Sequence, residues 1–267
     1  MATYTRNNKT ISGNSGSTDY HQGTSVADSI SITNITVVSG GPVTVNDDWG
    51  LYTVNGGALI YDGEEGNDTL TARNVKIEDG MFQLIGDKQN DHLSASNIIQ
   101  NAGRFGLNGG WYNDSVSVSN VSVSGYTSNT YTKEGFYISS GGNKNTVSVL
   151  NLTLDGAGRF YVEDGTSGGG KTSLKDITFS GNSTTSLRAK GDTVSLDGVN
   201  FEKSGYISLS GNGNISAQNI TNTVGGGISM TGGENSADEI SLEKVTISSG
   251  NISINGKGGN DTVSFFI

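Results

Sequence analysis

The sequence predicts an all-β fold: a right-handed, single-stranded parallel β-solenoid of about nine turns with three strands per turn. Three observations carry this. Apolar and polar residues alternate along most of the chain; the alternation restarts at regular intervals; and the composition suits narrow apolar stripes better than one large core. Only 32% of the 267 residues are hydrophobic, while 41 are Gly and a single one is Pro. A chain so poor in apolar residues but so regularly patterned buries its hydrophobic groups turn by turn, as solenoids do.

The repeat frame starts at Asp28 and returns at Asp68, Asp91, Asp114, Asn145, Gly170, Asp192, Gly213, Asp238 and Asp261. From 68 onward the intervals are 23, 23, 31, 25, 22, 21, 25 and 23 residues. Such self-similarity is a mark of repeat architectures. The first strand of each turn alternates, as in Leu70-Thr71-Ala72. Six residues after each frame start stands Asn34, Asn74, Asn97, Asn120, Asn151, Asp176, Gly198, Asn219 or Lys244. Mostly these are residue types that tolerate a left-handed backbone, so a sharp bend without a loop is expected there, leading into the second strand. Stacked turn upon turn, the asparagines could form a hydrogen-bonded ladder.

The third strand is bracketed by glycines. Gly57 and Gly63 flank Leu59 and Tyr61, Gly80 and Gly86 flank Phe82 and Leu84, and Gly103 and Gly109 flank Phe105 and Leu107. The bracket returns around Ile207 and Leu209, Ile228 and Met230, and Ile252 and Ile254. Residues 1–25 are read as an N-terminal cap and 26–267 as the solenoid domain. Insertions interrupt the repeat at Ser39–Gly56 and Gly125–Glu134. At the far end Phe265, Phe266 and Ile267 either cover the last turn or mark where a longer coil was cut.

Several function classes are disfavoured. A net charge of −10 disfavours nucleic acid and anionic lipid as partners. No apolar run is long enough to insert into a membrane, and residues 1–14 lack the apolar region of a Sec signal peptide. With no Cys, disulfides and thiolate chemistry are excluded.

Three short strands per turn with Asn at the tight bend resemble the pectate-lyase-like right-handed β-helix superfamily, over residues 28 to 267. The superfamily includes polysaccharide lyases and hydrolases, phage tailspikes and adhesin passenger domains. The resemblance therefore implies a fold without choosing an activity. It also implies that a substrate would lie on the outer face of the third-strand sheet. Alternation there is expected to expose Arg104, Asn108, Phe136, Ile138, Arg159, Tyr161, Glu163, Arg188 and Tyr206, with Trp111 and Tyr112 in an adjoining loop and Tyr126 and Tyr131 on the insertion. From these, Phe136, Arg159, Tyr161, Glu163, Arg188, Tyr206 and Trp111 form the expected ligand surface, aromatic rings and charged groups being suited to sugars. If the chain is a uronate lyase, Arg159 or Arg104 is the expected base. No carboxylate pair suited to a hydrolase stands out.

Asp68, Asp91 and Asp114 occupy one position on consecutive turns. They are read first as turn caps and alternatively as calcium ligands, calcium being the one cofactor considered. Gly165–Thr172 matches the Walker A pattern and Gly165–Gly169 matches G-x-S-x-G. Both need a following helix, and here the strand pattern of Leu174, Ile177 and Phe179 continues instead. The leading expectation is a non-catalytic, secreted or cell-surface bacterial module, adhesin-like or effector-like, binding a glycan or a protein surface. The alternatives are a polysaccharide lyase and a spacer within a longer passenger.

Overall fold

The computed structural model describes residues 3–12, 18–47, 50–125, 135–156, 158–164, 169–181 and 185–266. Two parallel sheets run the length of the coil, one of eleven strands and one of ten, and a two-stranded antiparallel hairpin projects from an early turn. The first sheet is built mainly from nine-residue strands such as Thr69–Ile77, His92–Gln100, Ser115–Val123 and Thr146–Leu154. The second is built from shorter strands such as Met81–Ile85, Arg104–Asn108, Ser186–Lys190 and Tyr206–Ser210. Nine such pairs follow one another from Ser29–Val38 with Ala58–Glu64 to Glu239–Ile247 with Asn251–Asn255.

The expected first and second strands are joined. Each long strand runs through its bend residue, so the turn has one bent strand and one short strand. The bend is where the sequence places it. Asn34, Asn74, Asn97, Asn120, Asn151, Asp176, Asn219 and Lys244 have φ between 52° and 57°, and Gly198 has 73°. That left-handed residue shifts the phase of alternation. In Thr69–Ile77, Leu70 and Ala72 point inward before the bend, and Val75 and Ile77 after it. The bend amides also stack: Asn74 Nδ2 donates to Asn34 Oδ1 at 2.9 Å, and Asn97, Asn120 and Asn151 continue the ladder at 3.0 to 3.1 Å. Asn120, which also heads a glycosylation sequon, spends its amide there.

The core is a set of columns along the coil axis. Phe82, Phe105, Phe136 and Phe160 stack with ring centroids 4.5 to 5.1 Å apart, close to the spacing of neighbouring strands. The bracketed pairs Phe82/Leu84, Phe105/Leu107, Ile207/Leu209 and Ile228/Met230 are all buried.

Residues expected to cap the N-terminal end form a turn themselves. Thr3–Ser12 pairs in parallel with Ser29–Val38, and Thr18–Thr24 with Ala58–Glu64. Where later turns put apolar groups inside, this turn puts Tyr4, Arg6, Asp19 and His21. Arg6 forms an ion pair with Asp19 and lies 2.7 Å from His21 Nε2, and the His21 ring stacks on Tyr61 at 5.0 Å.

The insertion at 39–56 contains the hairpin, Pro42–Asp47 paired with Gly50–Asn55. Trp49 and residues 126–134, with Tyr126 and Tyr131, lie outside the described residues, as do 165–168 of the Gly-rich motif. Lys171–Phe179, directly after that motif, is a strand.

Candidate functional site

The outer face of the short-strand sheet divides into two regions. Over the strands from Ala58 to Ile138 both faces are buried. Ile60, Met81, Gln83 and Ile85 should face outward by alternation, yet each is at most 1% exposed. The two insertions fall in the first and the last of these four turns.

Four residues expected to be exposed fall in this region and are corrected, among them Asn108, which is only 7% exposed. Phe136 is fully buried between Phe105 and Phe160, and Ile138 is buried beside it. Phe136 pairs with Phe105 in the ladder, so both must point inward, and the outward residue of that strand is Tyr137. Arg104 does face outward, but it is only 9% exposed, so a substrate chain could not reach it as a base. Trp111 is 69% exposed, on a corner loop whose N–H bonds to Asp87. Its turn lies two strands before Arg159, a separation of about 10 Å along the coil.

The other five expected residues are brought together. Register aligns Arg159, Tyr161 and Glu163 with Ser186, Arg188 and Lys190, and these with Tyr206, Ser208 and Ser210. Three consecutive short strands thus present nine outward side chains in a three-by-three array. Phe160, Val162, Leu187, Ala189, Ile207 and Leu209 anchor it from beneath. Within it the Arg188 guanidinium sits 5.8 Å from the Tyr161 ring centroid, a cation–π arrangement. Tyr137 marks the border with the covered region and donates its hydroxyl to Glu163 Oε2 at 2.7 Å. Burial, and then that carboxylate, raise the Tyr137 phenol well above its ordinary range. It therefore stays protonated as a donor and holds Glu163 in place.

The array carries three cations, Arg159, Arg188 and Lys190, against one acid, on a chain whose net charge is −10. Tyr206 adds a second ring, 40% exposed. Lys190 belongs to the array but escaped the sequence reading; its spacing of two from Arg188 was the available signal. Glu163 and its neighbour Asp164 point to opposite faces, one exposed and one buried, so they cannot flank one bond.

Asp68, Asp91 and Asp114 lie elsewhere, at an interior corner. Each directs Oδ1 at the backbone N–H of the preceding turn's acid, at 2.6 to 2.8 Å. These bonds run from turn to turn, whereas Asx-turn capping would run within one. Calcium needs several oxygens converging on a point. Among the described residues, no group of three acidic, His or Cys side chains could hold a metal ion.

Comparisons with protein-family models, with curated proteins and with solved structures find no match to this chain.

Proposed function

We propose that this protein is a non-catalytic, exported binding module of the pectate-lyase-like β-helix type, which holds a glycan on the array around Tyr161 and Arg188. The observation that carries this reading is the register. It sets an exposed and a partly exposed tyrosine, two arginines, a lysine and a carboxylate held by Tyr137 on three adjacent strands. Sugar rings stack on aromatic faces, and their hydroxyl and carboxyl groups take hydrogen bonds from Arg and Lys. The backbone beneath is a continuous ladder, so the side chains are held without a cost of ordering a loop.

A glycan array with and without calcium, run on the wild type and on Tyr161→Ala and Arg188→Ala, tests this. Binding that either substitution reduces at least tenfold supports the reading. Binding unchanged in both variants removes the array from consideration. A uronate polysaccharide assay, read as absorbance of unsaturated products, serves as the companion. Turnover abolished by Arg159→Ala would make the protein a lyase instead.

A further inference from the structure

Asp68, Asp91 and Asp114 are 1%, 3% and 2% exposed. Their Oδ1 atoms accept one backbone N–H each, but their Oδ2 atoms are buried without a hydrogen-bond partner. Ionised, each group would bury its charge with one oxygen receiving no donor; protonation removes that charge and leaves one O–H to be placed.

The same column contains its own controls. Asp28 and Asp238 occupy equivalent corners, and there the second oxygen is satisfied. Thr24 N–H donates to Asp28 Oδ2 at 2.5 Å, and Gly233 N–H donates to Asp238 Oδ2 at 2.7 Å. At the next corner after Asp114 the chain has Asn145. Its Oδ1 accepts the Asp114 N–H at 2.6 Å, while its Nδ2 donates to the Gly142 carbonyl at 3.2 Å. A neutral amide with a donor on the second atom is the nearest isostere of a protonated carboxyl, so the corner accepts the neutral form.

The charges acting on Asp68 and Asp91 are all acidic. Asp28 and Asp62 act on Asp68, and Asp68, Asp87 and Asp114 act on Asp91. Asp91 faces Asp114 through its own N–H contact. Lys88, on the neighbouring loop, is engaged at the surface by Glu65 at 2.7 Å, and His92 faces outward.

We propose that Asp68, Asp91 and Asp114 form a proton-binding ladder that makes the coil more stable in mild acid than at alkaline pH. Burial, reinforced by neighbouring acids, pushes Asp91 up to about 8 and Asp68 up to about 6, and burial alone pushes Asp114 up to about 7. The column titrates as a coupled set. An unfolded chain releases these protons near the ordinary value of 3.8, whereas the folded chain keeps them to higher pH. Their contribution is therefore complete below about pH 4 and is lost as pH rises through 6 to 8. The ladder does not depend on the glycan reading.

Thermal melts of the full chain between pH 5 and pH 9 test it, with Asp91→Asn/Asp114→Asn as the variant and Asp238→Asn as the control. The expected wild-type melting temperature falls by on the order of 5 °C or more across this range. The double variant should match the wild type at pH 5 and exceed it at pH 9. Asp238→Asn should lower the melting temperature at both. A wild-type curve that is flat or rises with pH, or a double variant that keeps the wild-type slope, overturns the ladder. Should the double variant fail to fold, ¹³C carboxyl titration of the wild type decides: midpoints above 6 for Asp91 and Asp114 support it, and midpoints below 5 reject it.

Discussion

Asn120 Nδ2 donates to Asn97 Oδ1 across one turn of the coil at 3.1 Å, and both residues hold φ at 56°. The residue that bends the chain is thus also the residue that ties the bend to its neighbour. Conformation and ladder can be separated by substitution. Asn97→Gly keeps the left-handed backbone and loses only the amide, so it should cost about 1 kcal/mol. Asn97→Ala loses both and should cost about 2 to 3 kcal/mol. Urea unfolding midpoints at constant slope would measure the difference; equal costs would mean the backbone conformation carries no strain.

Alternation assigns Val118 inward and Ser119 outward, and the structure agrees, with Val118 at 2% exposure. Val118→Asp places a charge among apolar columns and should abolish folding or cost more than about 4 kcal/mol. Ser119→Asp should stay within about 1 kcal/mol. Circular dichroism melts of the two variants are sufficient, and similar losses in both would refute the register.

Phe136 and Tyr161 should separate stability from binding. Phe136→Ala opens a gap in the stacked phenyl column and should cost about 3 to 5 kcal/mol. Tyr161→Ala removes a partly exposed ring on the outer face and should change stability by less than about 1 kcal/mol, while reducing glycan retention. Denaturation curves paired with glycan-array signals would show the split.

Gly86 closes a short strand where the next strand's acid packs against it. A Cβ on Gly86 would overlap the Asp91 carboxylate and the Gly109 carbonyl, whereas one on Gly142 would meet nothing within 4 Å. Gly86→Ala should therefore cost about 1 to 3 kcal/mol and Gly142→Ala about 0.5 or less. Thermal melts at fixed pH would report both.

In the first turn the pH dependence has the opposite sign to that of the Asp68–Asp91–Asp114 column. Asp19 is half-buried, which by itself would raise its carboxyl; the Arg6 guanidinium and His21 outweigh that and hold it below the usual range. Its contribution is present above the ordinary value and is lost as pH falls below about 4. Arg6→Ala should mimic that loss. Hydrogen exchange should then quicken in Thr3–Ser12 and Thr18–Thr24 while the central strands keep their protection.

Part of the candidate site is legible in the sequence and part is not. The alternation around Phe160 and Leu187 identified Arg159, Tyr161, Glu163 and Arg188 as outward groups, because side chains in a strand must alternate. Phe136 was misplaced because the 31-residue interval carries the insertion at Gly125–Glu134, which breaks the frame on which alternation depends. Arg104 was placed on the correct face but wrongly taken as open, since alternation says which way a side chain points and not what lies over it. The polar interior of the first turn was also missed, although Tyr4 and Arg6, and Asp19 and His21, stand two residues apart as inward neighbours must.

The sequence by itself determined the parallel coil, its turn length, the nine bend residues and the bracketed core pairs. All of these follow from local rules: period-two alternation, and the residue types that tolerate a left-handed backbone. Only the tertiary structure decided that the first two strands are one bent strand, that the buried acids point between turns with one oxygen unsatisfied, and that the open part of the outer face begins at Arg159. Each of those depends on what a neighbouring turn places a few ångströms away, and contacts between turns about two dozen residues apart are not written in local pattern.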